Sequence, residues 1–158
     1  MPEPFEPRAD PDVDLRVPAD RRELTTRPAT ILAAIAAGGV LGALARAGLQ
    51  HVAPHPPTGF PWATFGINVS GCLLIGVLMA VLGHLDGGHP LARPFLGVGV
   101  LGGFTTFSTY AVDVQQAIVA GAPGTALANL AATLLGALAA VGLGDAVTAG
   151  LLRRRAAR

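Results

Sequence analysis

The stretch from Val100 to Tyr110 carries the polar groups best suited to binding an ion. Two adjacent glycines, Gly102 and Gly103, are followed by four hydroxyl side chains within five residues: Thr105, Thr106, Ser108 and Thr109. Each glycine costs a helix interior about 1 kcal/mol relative to alanine, and the hydroxyls offer the backbone alternative hydrogen bonds. The pattern predicts either an interrupted helix or a slightly bent helix whose hydroxyls bond back to its own carbonyls. An interruption would free amides and carbonyls, which bind ions without any side chain having to ionise or react.

Two asparagines add polar groups at helical spacing. Asn68 lies four residues after Thr64 and four before Cys72, and Asn129 lies four before Thr133. Residues four apart share one face of a helix. In a membrane helix, such an amide either bonds to a neighbouring helix or lines a polar pathway. The sequence leaves both roles open for each asparagine.

The composition indicates which elements must position these groups. Charged residues are 13% of the 158-residue chain, against about 25% in a typical soluble domain. From residue 28 to residue 152 only five side chains are charged: Arg46, Asp86, Arg93, Asp113 and Asp145. So few charges cannot cover the surface of a soluble fold of this size, which argues against an ordinary soluble enzyme. The net charge of +1 gives no basis for nucleic-acid binding, and the single cysteine excludes an intramolecular disulfide.

Four apolar windows are each long enough to cross a bilayer as a helix, which takes about 20 residues. They cover about 28–49, 60–85, 91–120 and 124–151. We expect an all-α membrane domain over 28–152, with a disordered cytoplasmic tail before it (1–27) and a basic tail after it (153–158). The glycine and hydroxyl stretch lies in the middle of the third window. An interruption there would put free backbone groups at membrane depth, where they must line an enclosed polar site or bind an ion.

Arginine is distributed unequally between the two sides of this predicted domain. With four spans, both termini lie on one side, together with the second connection. That side holds Arg93 and the arginines of both tails, whereas the loops of the opposite side contain no Lys or Arg. Cytoplasmic segments of membrane proteins are enriched in Lys and Arg. We therefore expect a multi-pass protein of the cell membrane with both termini in the cytoplasm.

Three segments within the windows carry a resemblance to a known family. They read Gly42-Ala43-Leu44-Ala45-Arg46, Gly66-Ile67-Asn68-Val69-Ser70-Gly71 and Gly102-Gly103-Phe104-Thr105-Thr106-Phe107-Ser108-Thr109. Together they resemble the Fluc (CrcB) family of fluoride channels, and the similarity runs from the first window to the fourth. The resemblance implies four transmembrane helices, the third broken mid-membrane, in a subunit that pairs antiparallel with a second one in a dual-topology-type dimer. It also implies passive fluoride export and a structural, non-transported Na⁺ at the dimer centre.

The resemblance implies functional positions residue by residue. The backbone carbonyls of Gly102 and Thr105 would hold the Na⁺, and Arg46 would draw anions into a vestibule. The implied fluoride pathway contains Asn68, Thr106, Phe107, Ser108, Tyr110 and Asn129. These residues offer amide and hydroxyl donors and the positive edges of aromatic rings, which can replace the water around fluoride. Tyr110 and Asp113 depart from the phenylalanine and glutamate that are usual in the family.

The arginine distribution also bears on the partner subunit. A homodimer of antiparallel subunits requires a chain that inserts in both orientations, which favours nearly balanced loop charges. This chain is far from balanced. We therefore expect it to keep one orientation in the lipid bilayer and to pair with an oppositely oriented homologue rather than with itself.

Two other functions stay open at this point. A small proton-coupled multidrug exporter also uses four helices in antiparallel pairs. It normally needs a membrane-buried carboxylate in its first helix, and the first window contains none. A non-conducting membrane scaffold would tolerate replacement of Asn68 and Phe107 without loss of function. None of the three is an enzyme.

Overall fold

The computed structural model describes residues 28–84 and 90–156, and within these ranges all regular structure is helical. In chain order the helices are α1 (Pro28–Val52), α2 (Trp62–His84), α3 (Arg93–Leu101), α4 (Gly102–Phe104), α5 (Phe107–Val119) and α6 (Pro123–Ala156). α3 is a π-helix that continues directly into the single α-helical turn of α4. The predicted N-terminal tail lies outside the described residues.

Four stretches of the described chain are long and apolar enough to cross a bilayer: α1, α2, the run 93–119, and α6. For the described residues, the prediction of an all-α domain with four such helices is therefore confirmed. α6 continues beyond the predicted fourth window, so Arg153, Arg154 and Arg155 form its last helical turn. Arginine is a good helix former, and positive charge in a last turn interacts favourably with the helix dipole.

Among the described residues, large apolar side chains are exposed and several polar side chains are buried, which is the reverse of a soluble protein. The buried apolar side chains of the described residues are Ile67, Leu101 and four alanines. Just as many buried side chains are polar, namely Thr64, Asn68, Thr106, Asp113, Asn129 and Thr133. Large apolar side chains lie on the outside instead, and Leu44 and Leu135 are both 65% exposed. Because a bilayer solvates an apolar exterior and forces polar groups to pair inside, this arrangement is that of a multi-pass membrane protein.

Glycines let these helices pack backbone against backbone in two pairs. α1 lies against α3 and α4, and a Cβ at Gly42 would collide with the carbonyl oxygen of Val100. α2 lies against α6, and a Cβ at Gly76 would collide with the carbonyl oxygen of Val141. Small residues at such contacts drive helix association in lipid. The two pairs bring α1 and α2 close to the junction between α4 and α5.

Candidate functional site

The third membrane-spanning run is interrupted between α4 and α5 by two extended residues, which we call the junction. Thr105 has φ −72° and ψ 158°, and Thr106 has φ −150° and ψ 124°. The glycine pair, whose low helix propensity suggested the interruption, is not itself unwound: Gly102 keeps φ −66° and ψ −35°, and Gly103 lies within α4. α5 restarts with Thr106 as its N-cap, whose Oγ1 accepts a hydrogen bond from the Thr109 N–H at 3.1 Å.

Asn68 on α2 holds Thr106 in the extended conformation. Its Nδ2 donates to the Thr106 carbonyl oxygen at 2.9 Å, and its Oδ1 accepts from the Thr106 N–H at 2.8 Å. Asn68 is 8% exposed, so both bonds are shielded from solvent. Gly71, on the next turn of α2, provides the space, because a Cβ there would collide with Cγ2 of Thr105. The asparagine thus pairs both backbone groups of Thr106, as a neighbouring strand would.

The junction changes the hydrogen bonding of two carbonyls. In a continuous α-helix, the N–H of residue i+4 donates to the carbonyl of residue i. The Thr106 N–H donates to Asn68 Oδ1 instead of to the Gly102 carbonyl. The Thr109 N–H donates to Thr106 Oγ1 instead of to the Thr105 carbonyl. The carbonyl oxygens of Gly102 and Thr105 have therefore lost their helical donors, and oxygen ligands of this kind fit a hard cation such as Na⁺.

Arg46 on α1 contacts α4, next to the junction. Its Nε donates to the carbonyl oxygen of Gly103 at 3.1 Å, and the bond is partly buried. In a continuous helix that carbonyl would accept from the Phe107 N–H, which lies beyond the two extended residues. The residue predicted to lie in a vestibule thus contacts the interrupted helix directly.

Phe107 and Ser108 form the exposed first turn of α5. Phe107 is 79% exposed, and Ser108 Oγ lies 3.2 Å from Thr106 Oγ1. Tyr110 is half-buried, and its hydroxyl donates to the Leu130 carbonyl oxygen on α6 at 3.0 Å. The rings of Phe107 and Tyr110 lie 5.7 Å apart between centroids. Because its proton is engaged by Leu130, Tyr110 offers this turn an aromatic ring rather than a free hydroxyl donor.

Asn129 lies apart from that turn, in the buried face of α6. It is 1% exposed, and its Oδ1 accepts from Thr133 Oγ1 at 2.9 Å. Its Nδ2 has no hydrogen-bond partner among the residues that the structure describes. A buried donor without a protein acceptor is unusual. The structure therefore joins Asn68, Thr106 and Ser108 in one network and places Asn129 outside it.

Two half-helix ends of opposite polarity meet at the junction. The helical run that ends at Phe104 presents backbone carbonyls, the negative end of its dipole. α5 begins at Phe107 and presents backbone N–H groups, the positive end. Discontinuous helices bind ions in membrane proteins through such ends, cations at carbonyls and anions at N–H groups. The junction can thus attract a cation and an anion at neighbouring positions.

The comparison with known proteins decides the family. A family model described as "CrcB-like protein, Camphor Resistance (CrcB)" matches residues 33–145, from within α1 to within α6. The chain belongs to the CrcB family. The match includes the whole junction and every predicted site residue.

Several proteins similar to this chain have names that state a function. The fluoride-specific ion channel FluC 2 of Thermobifida fusca is 56% identical over 128 residues, which are 81% of this chain and 95% of that protein. The fluoride-specific ion channel FluC 2 of Streptomyces avermitilis is 51% identical over 125 residues, 79% of each chain. The fluoride-specific ion channel FluC 1 of Streptomyces coelicolor is 48% identical over 137 residues, 87% of this chain and 89% of its own length.

The sequence did not predict two contacts of this CrcB-family chain. Thr109 donates to the N-cap Thr106, and the spacing of three residues is a signal that could have revealed it. Asp113 is 8% exposed, and its Oδ1 lies 3.6 Å from Nε2 of His55 in the loop between α1 and α2. Its Oδ2 has no hydrogen-bond partner among the described residues. No sequence spacing links positions 55 and 113, so only the fold could reveal this pair.

Proposed function

We propose that this chain is one subunit of a fluoride-selective channel that lets fluoride leave the cytoplasm passively through the cell membrane. The names of its relatives support the substrate. The reciprocal pairing of Asn68 with Thr106 is the observation that carries the mechanism. These two bonds keep the helical run 93–119 interrupted, and that run is long and apolar enough to cross a bilayer. Passive conduction requires ion-binding groups and no reactive side chain, which agrees with relatives named as channels rather than enzymes.

Fluoride passes the exposed first turn of α5 in this proposal. The ion holds its water tightly, so the pore must replace that water with donors. The Ser108 hydroxyl, the second Nδ2 hydrogen of Asn68 and the edges of the Phe107 ring supply them. Thr106 orients this turn, since its Oγ1 lies 3.2 Å from both Ser108 Oγ and Thr109 Oγ1. The positive end of the α5 dipole favours an anion at the same place.

Asn129 and Tyr110 extend the route along α6. The buried Nδ2 of Asn129, which has no acceptor among the described residues, provides a further donor for a dehydrated anion. Tyr110 contributes the face or edge of its ring, since its hydroxyl bonds to Leu130. Arg46 adds positive charge close to the junction, which raises the local concentration of anions.

The carbonyl oxygens of Gly102 and Thr105 hold Na⁺ at the dimer centre in this proposal. Na⁺ bound to these carbonyls would supply a fixed positive charge and would not be transported. The chain contributes by keeping both carbonyls free of helical donors. Asn68 and Thr106 do so by taking the N–H groups that would otherwise close the helix.

A second subunit covers the junction in the bilayer. Gly102, Phe107 and Ser108 are all exposed in the isolated chain. Free backbone carbonyls cannot face lipid, so this part of the surface must be enclosed by protein. An antiparallel partner on this face closes it and places the two junctions together at mid-membrane.

The arginine distribution supports cytoplasmic termini and a separately encoded partner. Arg93 begins α3, and the last turn of α6 carries three further arginines on the same side of the bundle. Streptomyces avermitilis contains relatives named FluC 2 and FluC 3, so that organism has more than one such chain. An equivalent pair here supplies the oppositely oriented homologue.

One observation favours a second candidate function, the proton-coupled exporter. Asp113 is a buried carboxylate within the third membrane-capable run, next to the imidazole of His55. Such a group can exchange a proton for a cationic substrate. In an exporter of this kind, Asp113→Asn would abolish transport.

Efflux from liposomes distinguishes the two functions. The purified chain is reconstituted alone and together with its homologue, in vesicles loaded with equal potassium fluoride and chloride. Valinomycin starts efflux, and ion-selective electrodes record both anions. The channel releases fluoride without chloride and needs no pH gradient, and Asp113→Asn conducts. Drug uptake that follows a pH gradient, with no fluoride efflux from either preparation, would establish the exporter instead.

A further inference from the structure

We propose that Arg46 is a positioning residue: by holding the Gly103 carbonyl, it fixes the geometry of the cation-binding carbonyls of Gly102 and Thr105. The inference rests on the proposed channel function and deepens it. It goes beyond the attraction of anions that the resemblance implies for Arg46, because attraction needs only charge whereas positioning needs the observed hydrogen bond.

The contact is built into the packing of α1. Arg46 lies one turn after Gly42 on the same face of α1, and Gly42 packs directly on the backbone at Val100. On the other side of the contact, a Cβ at Gly103 would lie only 2.5 Å from the carbonyl oxygen of Gly39. These backbone contacts fix how far α1 is shifted along its axis relative to α4. The guanidinium therefore meets the Gly103 carbonyl at a distance that the helix pair imposes.

The bond acts on the peptide next to a proposed Na⁺ ligand. The carbonyl of Gly102 belongs to the peptide that ends at Gly103, so fixing Gly103 restricts how the Gly102 carbonyl can turn. On the far side of the junction, Asn68 fixes Thr106 through two bonds. Arg46 from α1 and Asn68 from α2 thus hold the two ends of residues 103–106. The carbonyls between and beside them keep one orientation even before a cation binds.

Two variants distinguish a positioning role of Arg46 from an effect of its positive charge alone. Nε belongs to a planar, rigid guanidinium, whereas lysine carries a point charge on a flexible stem. Arg46→Lys keeps the positive charge and loses the oriented donor. Arg46→Gln loses the charge as well, and electrostatics alone then predicts tighter Na⁺ binding, because a nearby cation repels Na⁺. Positioning predicts weaker Na⁺ binding in both variants.

Sodium-dependent thermal stability tests this inference without relying on flux. The assembled, purified protein is unfolded by heat while Na⁺ replaces an organic cation at constant ionic strength. A ligand that binds the folded state raises the unfolding temperature, so the titration gives a Na⁺ midpoint. We expect Arg46→Lys to raise that midpoint about tenfold, equivalent to about 1.4 kcal/mol. Arg93→Lys is the matched control, because Arg93 is exposed and its one side-chain hydrogen bond among the described residues is to Met79 Sδ, at 3.7 Å.

The outcomes separate this inference from the proposed function. A midpoint for Arg46→Lys equal to that of Arg93→Lys, a lower midpoint for Arg46→Gln, or a wild type insensitive to Na⁺ each overturns the positioning role. If Arg46→Lys does not fold, the direction of the shift in Arg46→Gln decides. Fluoride efflux of the wild type is measured on the same preparation. If the wild type conducts fluoride but the Na⁺ midpoints of the Arg46 variants are unchanged, the positioning role of Arg46 is rejected and the proposed channel function is not.

Discussion

Replacing Asn68 with alanine removes the only side chain that pairs both backbone groups of Thr106 among the described residues. The Thr106 N–H and carbonyl then lose bonds of 2.8 and 2.9 Å in a buried place, where water does not replace them. The Thr106 N–H would instead find the Gly102 carbonyl, its partner in a continuous helix. We expect the variant to lose stability and to relax toward an uninterrupted helix, with the loss of fluoride efflux.

The size of the effect follows from the two bonds. Leaving a buried donor or acceptor unsatisfied costs about 1–3 kcal/mol. Interhelical bonds in membranes average about 0.6 kcal/mol, because the disrupted state finds other partners. Partial closing of the helix offsets some of the cost, so we expect a loss of about 2–4 kcal/mol for the pair. For a chain of this length, that corresponds to a fall of roughly 5–15 °C in the unfolding temperature.

Ser70→Ala is the matched control for this prediction. Ser70 lies two residues further along α2, but its hydroxyl bonds within the described residues are to carbonyls of its own helix, at 2.6 and 3.3 Å. Thermal unfolding in detergent and fluoride efflux in liposomes are measured for both variants. An unfolding temperature and an efflux rate for Asn68→Ala equal to those of Ser70→Ala would refute the role of Asn68 at the junction.

Two further variants test the packing of α1 against α3 and the role of the Tyr110 hydroxyl. Gly42→Ala drives a methyl group into the Val100 carbonyl, whereas Gly39→Ala meets nothing within 4 Å, so only the former should destabilise, by about 1–3 kcal/mol. Equal unfolding temperatures for the two would contradict the α1 packing. Tyr110→Phe loses the 3.0 Å bond to Leu130 and about 1 kcal/mol of stability, but keeps fluoride efflux because the ring remains. Loss of efflux at unchanged stability would make the hydroxyl itself part of the route.

The sequence predicted the spans well because they depend on composition over about 20 residues. It also identified the stretch that contains the interruption, but for an incomplete reason. Gly102 and Gly103 are helical, and Gly103 lets α4 approach the backbone at Gly39. The two extended residues are Thr105 and Thr106, and Asn68 on another helix competes for the backbone groups of Thr106. Propensity along one helix cannot reveal such competition.

Long-range contacts are what the sequence could not predict. Residues four apart on one helix could be paired by spacing, and Thr133 does donate to Asn129 as their spacing allows. The bond from Arg46 to Gly103 joins positions 57 residues apart, and its existence depends on how α1 packs. The pathway roles of the site residues and the Na⁺ site stay predictions, because they depend on ions and on a second subunit.

Fluoride efflux through Phe107→Ile tests most directly whether the first turn of α5, next to the junction, lines the fluoride route. Phe107 is 79% exposed, so the substitution removes an aromatic edge without leaving a cavity in the fold. The control is Phe60→Ile, in the aromatic cluster with Trp62 and Phe65. We expect Phe107→Ile to assemble and unfold like the wild type and to release no fluoride, while Phe60→Ile conducts. Fluoride efflux at the wild-type rate through Phe107→Ile would contradict a route along the first turn of α5.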